Sequence, residues 1–219
     1  MSFLDRINEC HNAGSREAYL PFCVGNVCVG WVHRHFVPKL GPFGDVFVVG
    51  ADEITLAPGL NDYVARTQAV EGVLRTLDQD GHFAGWRDER YPVGTGFLHT
   101  PLFEMERTAV PRFGVAAYGV HVHGFVRDGA DISLWIGRRA DDKPTYPGKL
   151  DQMIAGGQPV NIGLLDNVIK EAREEAAVSP SLAATAKPVG AISYCHESDD
   201  GLKPDVMFIY DLELPRNFV

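Results

Sequence analysis

No stretch of this chain approaches the roughly 18 consecutive apolar residues that cross a bilayer as a helix, and this excludes a spanning helix. Basic residues are few: 20 Lys and Arg stand against 29 Asp and Glu, for a net charge of -9. A chain so balanced lacks the clustered cations that grip a phosphate backbone, so neither nucleic acid nor membrane is an expected partner. A bound divalent ion inverts the field locally, so the same charge does not exclude a small diphosphate. Cysteine is also scarce. Cys10, Cys23, Cys28 and Cys195 form no Cys-x-x-Cys pair, and the expectation is free buried thiols rather than a disulfide framework or a zinc site. The N-terminus has no basic flank followed by an apolar stretch and a cleavage site, and the expected location is cytoplasmic. Internal repeats and low-complexity tracts are absent.

What remains is ordinary globular composition. The 219 residues, 45% apolar and 22% charged, suffice for one large or two small domains. The first part reads as a helix over 2–13, with Phe3, Leu4, Ile7 and Cys10 on one face, then strands over 22–24, 27–33 and 46–49. A second helix fits 61–79 through Val64, Val73, Leu74 and Leu77, closed by Gly81. Residues 100–111 read as a connection, giving an N-terminal α+β domain over 1–109 and a second domain over 110–219. Strands are expected over 114–127 and 133–139 about the turn Asp128-Gly129-Ala130-Asp131, and again over 186–196 and 205–214, with Gly201 to Pro204 between them.

The densest chemical signal is the run Lys170-Glu171-Ala172-Arg173-Glu174-Glu175. On a helix Glu171, Glu174 and Glu175 stand at i, i+3 and i+4, which puts three carboxylates on one face. Like charges so close repel, and a hard divalent ion with oxygen ligands offsets that cost. The opposite stripe, Leu164, Leu165, Val168, Ile169, Ala172 and Ala176, is apolar at helical spacing. Asn161 is the expected cap, Ser179-Pro180 the stop, and Gly156-Gly157 a loop that brings backbone close to an ion or phosphate.

This loop and helix resemble the Nudix box. The family pattern has a Gly, then Glu after five residues, then after seven more Arg-Glu, an aliphatic, any residue, Glu-Glu, any residue, Gly and an aliphatic. Here those positions hold Gly156, Ile162, Lys170, Glu171, Ala172, Glu174, Glu175, Ala177 and Val178. Ile162, Lys170 and Ala177 depart from it; Lys170 keeps the charge of Arg without its planar fork. Further segments, Tyr118-Gly119-Val120-His121, Leu134-Trp135-Ile136, Arg138-Arg139, Lys143 to Asp151 and Tyr210 to Pro215, resemble the Nudix subfamily fused to fungal thiamin pyrophosphokinase, in which the first Glu of the box is commonly absent.

The resemblance implies an α/β/α sandwich with a mixed sheet, preceded by the smaller α+β domain. It implies Mg2+ or Mn2+ held by Glu171, Glu174 and Glu175 with backbone near Gly156, and hydrolysis of a diphosphate with Glu174 or Glu175 as the base. Glu197, Asp199 and Asp200 are the later-loop alternatives for that base. Arg138 and Arg139 are the expected phosphate contacts. The implied substrate is thiamin diphosphate or its oxidised analogues. A nucleoside-diphosphate-linked pyrophosphatase and a non-catalytic Nudix binding module stay open, as does a homodimer built through residues 1–109. Family members usually continue past the equivalent of Pro215 into another strand and a terminal helix. His33 with His35, and His121 with His123, share strand faces and are read as structural, as are Trp135 and Tyr146 in the core.

Overall fold

The computed structural model describes residues 2–83, 85–142 and 146–218. Two units emerge from the contacts: Met1–Ala117 with Ser193–Asp205, and Tyr118–Ile192 with Val206–Val219. Lys143, Pro144 and Thr145, part of the segment carrying the subfamily resemblance, lie outside the described residues.

The first unit opens with α1 (Phe3–Cys10), β1 (Tyr19–Val24), β2 (Val27–His33), α2 (Val37–Leu40), β3 (Phe47–Val49) and β4 (Ile54–Leu56). It continues through α3 (Tyr63–Gln79), β5 (Arg90–Val93), β6 (Phe103–Glu106) and α4 (Val110–Phe113). Strands β2-β1-β4-β3 form one sheet in that order, β1 running antiparallel to β2 and parallel to β4. Helix α3 forms because Asp62 caps it, accepting from the Ala65 N–H at 2.8 Å, and because Val70, Val73, Leu74 and Leu77 recur on one buried face. Val64, expected on that face, is exposed.

The core of this unit is aromatic. Phe22 packs its ring 5.3 Å from that of Phe113 and 6.2 Å from that of Phe103. Each such ring removes apolar surface worth roughly 1.5–3 kcal/mol from water. Residues 100–111, expected to be a mere connection, therefore contribute β6 and the start of α4, with Phe103, Met105, Ala109 and Val110 all buried. Gly114 ends α4 at φ 55°, in the left-handed region, where a β-carbon would lie 2.3 Å from the Trp31 carbonyl oxygen.

Two expectations fail in this unit. The amphipathic α1 forms, with a capping box between Ser2 and Asp5, but none of its residues is buried and Phe3 is 93% exposed. An apolar stripe specifies a helix face; it does not supply the surface to cover it. Cys23 and Cys28 are joined in a disulfide, while Cys10 is exposed and Cys195 partly buried, so four free buried thiols is wrong. Pairing of β1 with β2 sets the two cysteines directly opposite one another, with a register shift at Phe22 and Cys23.

The second unit contains β7 (Tyr118–Asp128), β8 (Asp131–Arg138), β9 (Leu150–Gln152), β10 (Ile154–Gly157), α5 (Leu164–Ala176) and α6 (Pro180–Ala183). Strands β11 (Lys187–Ser198) and β12 (Gly201–Glu213) follow, and their shared tip, Ser193–Asp205, belongs to the first unit. The sheet order is β11-β12-β7-β8-β9 with β10 also on β7. β12 runs parallel to β7, while β8 and β10 run antiparallel to it, so the fold is α+β with the mixed sheet the sequence implied. Val120 and Val122 of β7, Ile154 of β10 and Leu212 of β12 pack against Val168 and Ala172 of α5 in a second core.

Several local readings shift. Gly201 to Pro204, expected between strands, are the first residues of β12, and Gly156-Gly157, expected in a loop, end β10. Ser179 does not merely stop α5; it caps α6, accepting from the Leu182 N–H at 3.4 Å. Tyr146 is 64% exposed rather than in the core, and Trp135 is 39% exposed with its ring edge-on to Phe218.

Candidate active site

Helix α5 starts at Gly163 and not at Asn161, which takes a left-handed φ of 63° two residues earlier. The turn before the helix is held from inside. Buried Asn167 donates from Nδ2 to the Gly157 carbonyl at 2.8 Å and to Gln158 Oε1 at 3.1 Å. Gln158 in turn donates from Nε2 to the carbonyl of Ile162 at 2.7 Å, so the residue standing where the family has Glu is tied through its backbone. Asn167 Oδ1 is buried without a hydrogen-bond partner, an orphaned acceptor at the base of the turn.

The far end of the box closes on Ala177, which adopts φ 50° and ψ 24° in the left-handed region, and the Val178 N–H donates back to the Ala172 carbonyl at 3.1 Å. The pattern's glycine matches this conformation. Ala177 takes it at a steric cost.

Around the acidic run, each carboxylate has a distinct position. Glu171 packs on β10: a β-carbon on Gly156 would come within 2.2 Å of Glu171 Cδ, so a larger residue there would displace this carboxylate. Lys170 Nζ donates to Glu171 Oε1 at 2.7 Å and stands 3.3 Å from Glu174 Oε2. Burial alone would lower the Lys170 pKa, but its hydrogen bonds to these two carboxylates and their charge raise it overall, so the ammonium stays charged. Glu175 turns to the strand and accepts from the Ala155 N–H at 2.8 Å.

The three carboxylates are not drawn into a closed chelate. Among the described residues no three His, Cys, Asp or Glu ligand atoms within 4.8 Å of one another come from this helix. Two of the three instead share the Lys170 ammonium, with Glu171 only 12% exposed and Glu174 56% exposed. Glu171 and Glu174 already share one cation, and their hard oxygen donors suit a magnesium-like ion.

Glu174 and Glu175 line a cleft of about 320 Å³ together with Arg138, Arg139, Asp151 and Ala155. Arg139 is held there by Asp151, which accepts from its Nη1 at 2.8 Å. Arg138 is mostly exposed and reaches the Gly148 carbonyl at 3.3 Å and Asp141 at 3.2 Å. Asp151, from β9, is the cleft residue that sequence reading missed; its only signal was its place at the end of the Lys143 to Asp151 segment. Glu197, Asp199 and Asp200 belong to the first unit. There Glu197 accepts from the Tyr19 hydroxyl at 2.7 Å, and Arg112 donates to the Asp199 carbonyl at 2.6 Å and to Asp200 at 3.2 Å. On β7, His123 Nδ1 lies 3.1 Å from Asp211, and burial lowers the pKa of His121.

Residues 2–117 match the family model described as Domain of unknown function (DUF4743). Over 99% of its length the chain is 41% identical to the Arabidopsis thaliana protein named Nudix hydrolase 20, chloroplastic, and 39% identical to Nudix hydrolase 24, chloroplastic, of the same plant. It spans 61% and 60% of the length of these two relatives. Among solved structures, DR0079 from Deinococcus radiodurans is similar at 21% identity, with a TM-score of 0.44, over 57% of this chain and 72% of that one. The chain is similar to these two plant proteins named Nudix hydrolases, and it belongs to the family described as Domain of unknown function (DUF4743).

Proposed function

We propose that this chain hydrolyses the anhydride bond of a small organic diphosphate, with Glu171, Glu174 and Glu175 holding one or more Mg2+ or Mn2+ ions. The observation that carries the reading is that Glu174 and Glu175 line one cleft with Arg139, on the helix whose Glu171 packs on Gly156. When bound, the ion neutralises phosphate oxygens and makes a water acidic enough to act as nucleophile near neutral pH.

The chain's own residues do the rest. Arg139, oriented by Asp151, offers a planar fork to a phosphate oxygen pair, and Arg138 adds a more exposed cation to the cleft lining. Glu174, the most exposed of the pair that flanks Lys170, or Glu175, held by the Ala155 N–H, takes the proton from the attacking water. Asn167 and Gln158 hold the turn that sets the start of the helix, so the carboxylates stay in register with β10.

For the substrate, resemblance to the thiamin-linked branch supports thiamin diphosphate or an oxidised analogue, cleaved to the monophosphate and phosphate. The test is phosphate release with Mg2+ across thiamin diphosphate, its oxidised analogues, ADP-ribose and dinucleotides. Faster turnover of the thiamin compounds upholds the reading; preference for the nucleotides replaces it with a nucleoside-diphosphate-linked pyrophosphatase.

A further inference from the structure

Away from the carboxylate cleft, the first unit gathers Cys23 Sγ, Cys28 Sγ and a carboxylate oxygen of Glu53 within 4.8 Å of one another, the one such trio among the described residues. Three parts of the sheet bring them there. The β1–β2 pairing opposes the two cysteines, and the parallel pairing of β1 with β4 sets Cys23 beside Thr55, two residues after Glu53. The Glu53 carbonyl accepts from the Gly50 N–H at 2.9 Å, which fixes the approach to β4.

The chemistry of the trio depends on its oxidation state. While Cys23 and Cys28 are bonded to each other, neither offers a thiolate. Cys28 is exposed and lines an open hollow of about 260 Å³ with Arg16, Trp31 and Thr95, so a dithiol reductant can reach the bond. Two thiolates and one carboxylate with a side open to water form a four-coordinate set of the kind Zn2+ takes. Cys23 is buried and Glu53 and Cys28 are exposed, so the open side faces solvent.

We propose that reduction of the Cys23–Cys28 disulfide exposes a Zn2+ site made by Cys23, Cys28 and Glu53. A dithiol gives up two electrons and two protons, becoming a cyclic disulfide, and the Sγ–Sγ bond breaks into two thiols. Binding of Zn2+ then releases both thiol protons, and water fills the fourth position. The unit thus carries a metal only under reducing conditions, independently of any ion on α5.

The test uses the full chain and Zn2+ alone. Thiols are counted in denatured samples, and Zn2+ uptake is followed by competition with a chromogenic chelator after anaerobic removal of the reductant. The proposal expects free thiols at Cys10 and Cys195 only in the oxidised protein and at all four cysteines after reduction, with one further Zn2+ bound per chain in the reduced form. Cys28→Ser removes that ion, and Glu53→Gln weakens it by about tenfold or more. Both positions are exposed, and circular dichroism of each variant reports that the unit is folded. Co2+ in place of Zn2+ gives thiolate-to-metal charge-transfer absorption that Cys28→Ser abolishes. Four free thiols before reduction, no added Zn2+ after it, or uptake that survives Cys28→Ser each overturns the proposal.

Discussion

Glu171 rests on the bare α-carbon of Gly156, so close that a β-carbon there would come within 2.2 Å of its Cδ. The helix thus reaches the strand through a carboxylate. Gly156→Ala must push the end of the Glu171 side chain aside. We expect the variant to lose about 1–3 kcal/mol of stability to overpacking. Metal-dependent phosphate release should fall about a hundredfold, the loss typical of a displaced catalytic group. Chemical denaturation and a rate assay measure the two effects. An unchanged rate would mean that Glu171 has no part in the site.

Lys170 occupies the place between Glu171 and Glu174 that a cation would take. Its ammonium therefore competes with an added ion. Lys170→Gln should weaken the metal-free protein by only about 0.5–1 kcal/mol, because the pair is partly solvent-screened. The rise in melting temperature on adding Mg2+ should be larger in this variant than in the parent. A smaller rise would make Lys170 an orienting group for Glu171.

Ala177 holds the left-handed conformation in which L-residues are strained by roughly 1–2 kcal/mol. Ala177→Gly relieves that strain but adds chain entropy to the unfolded state, and we expect a net gain of about 1 kcal/mol. Urea denaturation at pH 7 checks the sign; a loss of stability would place the strain elsewhere.

Asp205 is largely buried, and burial pushes its carboxyl up to about 6. The folded state then holds this proton more tightly than the unfolded chain, whose aspartate titrates at about 3.9. The stabilising contribution is complete below the unfolded value and lost as pH rises through 6. Asp205→Asn should remove that slope and raise stability at pH 7 by about 1–2 kcal/mol. Melting curves from pH 4 to pH 7 would contradict this if parent and variant ran parallel.

Helix α5 was legible because two independent periodicities coincide there: Val168 and Ala172 repeat at helical spacing on one side, and Glu171, Glu174 and Glu175 on the other. Strands β7 and β8 were legible from alternation about a turn whose Gly129 takes φ 63°. What the sequence hid depends on register. The Cys23–Cys28 bond follows from which residue of β2 faces Cys23, and a bulge shifts that register by an amount no spacing rule gives. β10 was hidden because Gly156 and Gly157 have no side chain to alternate, although their backbone pairs with Val120 and Gly119. The burial of Phe103 and Met105 was likewise unreadable, since a four-residue strand between loops has too short a pattern to separate core from connection.

Glu174 tests the account most directly, since it lines the cleft and shares Lys170 with Glu171. The measurement is steady-state phosphate release from thiamin diphosphate and ADP-ribose against Mg2+ concentration, for the parent and for Glu174→Gln. Metal-dependent turnover of at least one substrate in the parent, reduced about a hundredfold or more in the variant with the fold intact, is the predicted result. Turnover equal in the two proteins, or independent of Mg2+, would contradict it.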